Sequence, residues 1–191
     1  MQEYLELLKR LIRLRPVSAD VEAVNRVTET LYDFMAVRGL YCTLEKLNER
    51  KILFVSTTPG KKPDLLLNAH VDVVPAADES QYELKTEDGW LFGRGAGDCL
   101  GNVVCIAKAL CEVDRKLSVG AVFSSDEEIG GQTTARMVEL GYSAGRMICI
   151  LDSWENDSIC HAQKGIIALK LTAHGRGGHA SHPWNFDNPI D

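Results

Sequence analysis

Residues 64–72 have the sequence DLLLNAHVD, in which an apolar run leads into a histidine and an acid. Two later runs end in the same way, VGAVFSSDEE at residues 119–128 and MICILD at residues 147–152. Short apolar runs of this kind are typical of strands that are buried on both faces of a parallel sheet. The three runs therefore predict three such strands, each with polar side chains at its carboxyl end.

The segments around these runs predict the other layers of the fold. Apolar residues recur at helical spacing in four segments, and two further strands are separated by a polar turn. The predicted helices cover residues 2–14, the stretch between Ser18 as N-cap and Gly39 as stop, residues 99–113 and residues 132–140, and the further strands cover residues 41–46 and 51–57. Residues 76–92 are polar and are predicted to be irregular. This order predicts an α/β fold, a layered domain with a mixed, mainly parallel central sheet and helices on both faces.

The character of the sequence changes at Gly165. Residues 165–173 form a long apolar run with partial alternation, which predicts a strand, and residues 174–183 are rich in glycine and histidine. We therefore expect one domain at residues 1–164 and the beginning of a second, incomplete domain at residues 165–191.

Composition and charge narrow the classes of partner. The net charge of −6 argues against nucleic acid and against an anionic membrane. No apolar run reaches the length of a membrane span, and residues 1–10 are amphipathic and charged, so we expect neither an anchor nor a signal peptide. The six cysteines form no CxxC pair, which favours a reduced, cytoplasmic protein.

The polar residues that follow the strands predict a metal centre. Ligands of open α/β sheets collect at the carboxyl ends of parallel strands. The candidates at this edge, together with the last residue of a glycine-rich turn, are His70, Glu127, Glu128, Asp152 and Asp98. One histidine and several carboxylates form a site for a hard or borderline divalent cation.

Three ordered motifs carry a resemblance to a known family. They are HVDVVP at residues 70–75, GRGAGD at residues 93–98 and DEEIGG at residues 126–131. Together they resemble the di-zinc aminoacylase and carboxypeptidase family, whose members include acetylornithine deacetylase, succinyl-diaminopimelate desuccinylase, glutamate carboxypeptidase and related dipeptidases. The resemblance covers nearly the whole chain. It implies a zinc-exopeptidase-like catalytic domain at residues 1–164 and the first part of a lid or dimerisation domain at residues 165–191.

The resemblance implies four metal ligands. His70 and Asp152 resemble ligands of one zinc, Asp98 resembles the carboxylate that bridges both zincs, and Glu128 resembles a ligand of the second. Two cations held close together need an anionic bridge, which a carboxylate supplies. Co²⁺ or Mn²⁺ are expected substitutes for Zn²⁺, and a cis peptide bond is expected between Asp98 and Cys99.

The resemblance also implies three catalytic residues. Glu127 resembles the general acid and base, and Asp72 resembles the carboxylate that orients the imidazole of His70. Residues i and i+2 of a strand point the same way, so Asp72 can reach the ring nitrogen that a metal leaves free. His179 resembles the lid histidine that helps to hold the developing oxyanion, in many members across a dimer interface, so a homodimer is an expected assembly.

One departure from the family pattern limits the expected function. The family's chain returns from the lid to the catalytic domain, where a late histidine completes the second zinc site, whereas this chain ends at Asp191. We therefore expect one Zn²⁺ or none, and little or no hydrolysis of a small N-acyl amino acid or short peptide by this chain. Two alternatives stay open: a catalytically silent truncated homologue that acts by association, and a one-metal enzyme of the aminopeptidase type.

Overall fold

The computed structural model describes residues 1–152, 158–160, 162 and 164–189. The chain forms two compact units, residues 1–154 and residues 155–191. All the long helices and the central sheet in the described part of the chain belong to the first unit.

Among the residues that the structure describes, four α-helices lie at the predicted places. They are α1 Gln2–Arg13, α2 Val21–Ala36, α3 Leu100–Glu112 and α4 Gln132–Glu139. The cap of α2 was predicted wrongly, because Asp20 accepts the hydrogen bond from the Ala23 N–H and Ser18 lies too far upstream to do so. No helix in the described part of the chain has the length and apolar character of a membrane span.

The described residues form seven strands in two sheets. Their bounds are β1 Tyr41–Leu47, β2 Arg50–Ser56, β3 Leu65–His70, β4 Lys85–Glu87, β5 Trp90–Phe92, β6 Val119–Ser124 and β7 Met147–Ile150. The larger sheet has the order β1-β2-β6-β3-β7. β2 pairs antiparallel with β1 and β6, whereas β3 pairs parallel with β6 and β7. The sheet is therefore mixed, and its parallel part is the part that carries the three quoted runs.

Helices cover both faces of this sheet, as predicted. One apolar cluster joins alternate residues of the central strands to α1, α2 and α3, and the other joins the intervening residues to α4 and the turn after it. The first cluster includes Leu53, Val55, Ala69, Ala121 and Phe123, and the second includes Ile52, Phe54, Leu66, Val122, Met137 and Tyr142. This alternation confirms the layered α/β class, because it requires that the central strands are buried on both sides. The burial predicted for the third apolar run was wrong, because β7 lies at the edge of the described sheet and all four of its residues are exposed.

The register of the sheet brings the polar strand ends to one edge. His70, the last residue of β3, lies opposite Ser124, the last residue of β6. β7 runs parallel on the other side of β3, with Ile150 opposite Asn68. The residues that follow all three strands therefore emerge at the same edge, where ligands of open α/β sheets collect.

The segment at residues 76–92 is more regular than predicted. It contains a short 3-10 turn at Glu79–Tyr82 and the hairpin of β4 and β5. Asp88 and Gly89 close this hairpin with φ values of 50° and 81°. Asp-Gly between two short strands is a strong hairpin signal, so the sequence contained the evidence for this element.

The strand predicted at residues 165–173 is absent. None of these residues belongs to a strand, and Ile166, Leu169 and Leu171 are more than 80% exposed. A strand needs a backbone partner, and no described residue pairs with this segment. In the rest of the second unit the structure describes a short 3-10 turn at Pro183–Asn185 and a bridge between Arg176 and Asp187.

Candidate metal centre

His70 lies at the centre of the sheet edge at which β3, β6 and β7 end. Its side chain is 1% exposed, and its Nδ1 lies 2.9 Å from the backbone oxygen of Asp72. A carbonyl oxygen can only accept, so Nδ1 carries the hydrogen and Nε2 is the nitrogen available to a metal. Nε2 faces Asp98 Oδ1 at 2.9 Å and Asp152 Oδ1 at 3.8 Å.

The surroundings of His70 favour a positive charge on its ring. Burial lowers the pKa of His70, but the hydrogen bonds and charge of Asp72, together with the charge of Asp152, outweigh it and raise the pKa to about 9. The same carboxylates that stabilise a proton on the ring also stabilise a metal cation beside Nε2.

Asp72 has a wider structural role than the sequence indicated. Its carboxylate is fully buried and accepts hydrogen bonds from the Ser18 hydroxyl at 2.7 Å and from the backbone N–H groups of Glu127 and Glu128 at 3.1 and 3.3 Å. Its nearest carboxylate oxygen is 3.5 Å from His70 Nδ1. The ring is therefore held mainly by the Asp72 backbone, while the carboxylate holds the turn that carries the two glutamates.

Glu127 and Glu128 lie in a short 3-10 turn directly after β6. The residue before the turn, Asp126, holds it in place. Asp126 is 4% exposed and accepts hydrogen bonds from the backbone N–H and the hydroxyl of Thr133. Glu127 Oε2 lies 4.0 Å from His70 Nε2. Partial burial raises the pKa of Glu127, with the charge of His70 opposing the shift and the carboxylate of Asp152 adding to it.

Asp98 and Asp152 approach His70 from two different segments. Asp98 ends the glycine-rich turn, and the predicted cis peptide bond between Asp98 and Cys99 is present. Asp152 follows β7 and is held near β3 because the Leu151 N–H donates to the Asn68 oxygen at 2.8 Å. The side chains of Asp98 and Asp152 are 40% and 33% exposed, so both carboxylates reach the solvent side of the ring.

The glycines of the Asp98 turn permit close backbone packing. A Cβ on Gly101, in the first turn of α3, would lie 2.1 Å from the backbone oxygen of Ala96. Gly95 has a φ of 79°, and a Cβ there would lie 2.8 Å from Val73. Side chains at Gly95 and Gly101 would therefore push the turn, and Asp98 with it, away from the sheet.

The donor atoms fit a divalent cation. Two groups have ligand atoms that all lie within 4.8 Å of one another: His70 with Asp98 and Glu128, and His70 with Cys99 and Asp152. An imidazole surrounded by three carboxylates suits zinc and similar borderline metals. The structure thus brings together His70, Asp72, Asp98, Glu127, Glu128 and Asp152, all of which the sequence indicated.

Two residues of this region were not predicted from the sequence to belong to the site. Cys99 is fully buried, donates a hydrogen bond to the Leu151 oxygen at 3.0 Å, and has its pKa raised to about 11 by burial. Its position directly after Asp98 was the available signal. Ser18 contacts Asp72 across 54 residues of sequence, and no local pattern reveals such a contact.

His179 belongs to the second unit. It is exposed, and its Nδ1 lies 2.7 Å from the hydroxyl oxygen of Ser181. Its predicted action on an oxyanion stays a prediction.

A family model described as peptidase family M20/M25/M40 matches residues 66–179. Among curated proteins, a probable succinyl-diaminopimelate desuccinylase of Staphylococcus aureus is 26% identical over 200 residues, covering 100% of this chain and 48% of its own length. The succinyl-diaminopimelate desuccinylase of Caulobacter vibrioides is 28% identical, covering 97% of this chain and 50% of its own length. The chain therefore spans about half the length of the curated relatives it matches.

Solved structures confirm the fold. An M20 family metallo-carboxypeptidase from Sulfolobus solfataricus superposes with a TM-score of 0.65 at 22% identity, and human carnosine dipeptidase 1 with a TM-score of 0.64 at 21% identity. Each match covers 80% of this chain and 38% of the other. At this level of identity the likeness concerns the fold alone.

Proposed function

This chain belongs to peptidase family M20/M25/M40, and from that premise we propose that it carries most of a metal centre for amide-bond hydrolysis. The observation that carries the proposal is the convergence of three carboxylates on His70, with Asp98 and Glu128 in one group of ligand atoms and Asp152 in a second. The carboxylate of Glu127 lies beside them, 4.0 Å from His70 Nε2. The proposed substrate is a small N-acyl amino acid or a short peptide. Desuccinylases among the sequence relatives support this class of substrate.

Zn²⁺ is the proposed metal. His70, Asp98 and Asp152 would hold one ion, and Asp98 and Glu128 would contribute to a second. A bound zinc ion polarises a substrate carbonyl and lowers the pKa of water to about 7. The buried, hydrogen-bonded ring of His70 fixes the direction of the first ligand, which is what a metal centre requires of its surroundings.

Glu127 is the proposed general base and acid. Its Oε2 lies near the ligands, and its raised pKa brings it closer to the range in which a carboxylate both accepts and returns a proton. Oε2 would take a proton from the attacking water and pass it to the leaving nitrogen. Asp72 keeps this carboxylate in place through the backbone of the turn, and His179 is proposed to stabilise the oxyanion.

We also propose a reducing, cytoplasmic location. The six cysteines of the chain are free, and free cysteines persist in reducing compartments.

Hydrolysis of N-succinyl and N-acetyl amino acids and of dipeptides tests the proposed function. The 191-residue chain is compared, after zinc loading, with a form extended to the length of its relatives. We expect little turnover from the first and clear turnover from the second, reduced about 10²–10⁴-fold by Glu127→Gln. Glu139→Gln on the exposed face of α4 is the matched control and should leave the rate unchanged. An extended form that binds zinc but hydrolyses none of these amides would support the alternative of a silent, associating homologue.

A further inference from the structure

Ser18 occupies a fixed place beside the metal centre, although it belongs to the connection between α1 and α2. Its side chain is buried, and its backbone N–H donates to the Val73 oxygen at 3.1 Å. Val73 in turn donates to the Pro16 oxygen at 2.9 Å, so this connection forms a short parallel bridge with the chain that follows β3. The backbone therefore sets the position of the Ser18 hydroxyl.

Two described side chains approach the Asp72 carboxylate with a hydrogen, and the Ser18 hydroxyl at 2.7 Å is closer than the His70 ring nitrogen at 3.5 Å. Asp72 Oδ1 accepts from the Glu127 N–H, while Oδ2 accepts from the Ser18 hydroxyl and, at a longer distance, from the Glu128 N–H. A carboxylate can rotate about its terminal torsion, which is broad and roughly two-fold. A short hydrogen bond from a fixed hydroxyl restricts that rotation.

Arg50 also links the connection between α1 and α2, which contains Ser18, to the turn after β6. Its guanidinium donates to the backbone oxygen of Ser18 at 2.5 Å and to the backbone oxygen of Ser125 at 2.9 Å. Ser125 lies two residues before Glu127. The connection at Ser18 and the turn after β6 are therefore linked twice, once through Asp72 and once through Arg50.

We propose that Ser18 is a positioning residue of the metal centre. Its hydroxyl sets the orientation of the Asp72 carboxylate, and through it the placement of Glu127 and Glu128. The inference rests on the proposed function for its effect on catalysis, but its effect on metal binding needs no substrate.

Zinc affinity of the 191-residue chain, measured by calorimetry, tests this role. Residues that hold metal ligands in place typically contribute about 10–100-fold to metal affinity or activity, and we expect a loss of this size in Ser18→Ala. Ser18→Thr keeps the hydroxyl and should restore most of the affinity. Ser56→Ala removes another buried hydroxyl, at the end of β2 that lies away from Arg50, and should leave zinc affinity unchanged.

Amide hydrogen exchange gives a second readout that does not depend on activity. Ser18→Ala should speed exchange at the N–H groups of Glu127 and Glu128, whereas Ser56→Ala should not. If Ser18→Ala does not fold, Ser18→Cys replaces it in both measurements, because the thiol has a similar volume and is a weaker hydrogen-bond donor than the hydroxyl. Equal zinc affinities and equal exchange rates in the Ser18 and Ser56 variants would overturn the proposal.

In the extended form, the same variants separate this inference from the proposed function. Ser18→Ala should lower kcat by about 10–100-fold and leave KM nearly unchanged, because the displaced groups act on the reacting atoms. If no amide is hydrolysed, the proposed function fails while the zinc and exchange data still decide the role of Ser18.

Discussion

β3 and β7 are parallel neighbours in one sheet, but they lie in different surroundings. β3 has a strand on each side and ends at His70, which is 1% exposed. β7 is at the edge of the described sheet, and its residues Met147 and Ile150 are 59% and 66% exposed. The candidate centre therefore combines a buried half, supplied by a central strand, with a half that an edge strand supplies.

This difference determines how each ligand is held. His70 is fixed by its own ring hydrogen bond and by the packing around it. Asp152 has no such enclosure, and its position depends on the backbone bond from Leu151 to Asn68 and on the thiol of Cys99. A disturbance of the edge should therefore affect one ligand, whereas a disturbance of the central strands should affect all of them.

The largest expected contrast is between two residues that face each other across β3 and β7. Leu66 is 6% exposed and lies opposite Ile148, which is 56% exposed. Leu66→Ala should lower the free energy of unfolding by roughly 2–5 kcal/mol, because it leaves a cavity in the core. Ile148→Ala should change it by about 0.5 kcal/mol or less. Urea denaturation measures both, and equal losses would show that the β7 edge is covered in solution.

A smaller effect is expected in the turn that carries Asp98. Gly101→Ala would force a Cβ against the backbone oxygen of Ala96 and should destabilise the protein by about 1–3 kcal/mol. Gly97→Ala, four residues earlier, has no atom within 4 Å of the added Cβ and should be nearly neutral. Thermal unfolding of the two variants compares them directly. Similar melting temperatures would mean that the turn is not packed as described.

Cysteine labelling tests the same comparison with the smallest expected effect on stability, because it requires no substitution. Cys99 is buried, with its pKa raised to about 11, whereas Cys149 on β7 is exposed. Iodoacetamide at pH 8 should modify Cys149 well before Cys99, with the exposed Cys105 of α3 as an internal reference. Cys99 reacting as fast as Cys149 would contradict the buried placement of the residue next to Asp98.

The parts of the fold that the sequence predicted share one property. β3, β6 and β7 are apolar runs with polar ends, and both the pattern and its consequence are local. Two of the departures are not local: residues 165–173 have the pattern of a strand but lack a described partner, and Ser18 donates a hydrogen bond to Asp72, 54 positions away. The hairpin at Asp88 and Gly89 was a local signal that went unused.

The same distinction applies to the candidate site. The motifs indicated which side chains meet at His70, because strand ends collect at one edge of a parallel sheet. They did not indicate that Asp72 would hold the Glu127 turn by its carboxylate and the imidazole by its backbone. That division depends on distances of a few tenths of an ångström, which sequence patterns do not specify.

The central claim is that the ends of β3, β6 and β7 form one metal centre around His70. Its most direct test is titration of the dialysed 191-residue chain with Zn²⁺ in isothermal calorimetry, beside His70→Ala and the control His174→Ala, which alters an exposed histidine of the second unit. The family pattern allowed one zinc ion or none, and the ligand atoms gathered around His70 favour one, which should be unchanged in His174→Ala and lost in His70→Ala. No saturable binding, or binding that survives His70→Ala, would contradict the claim.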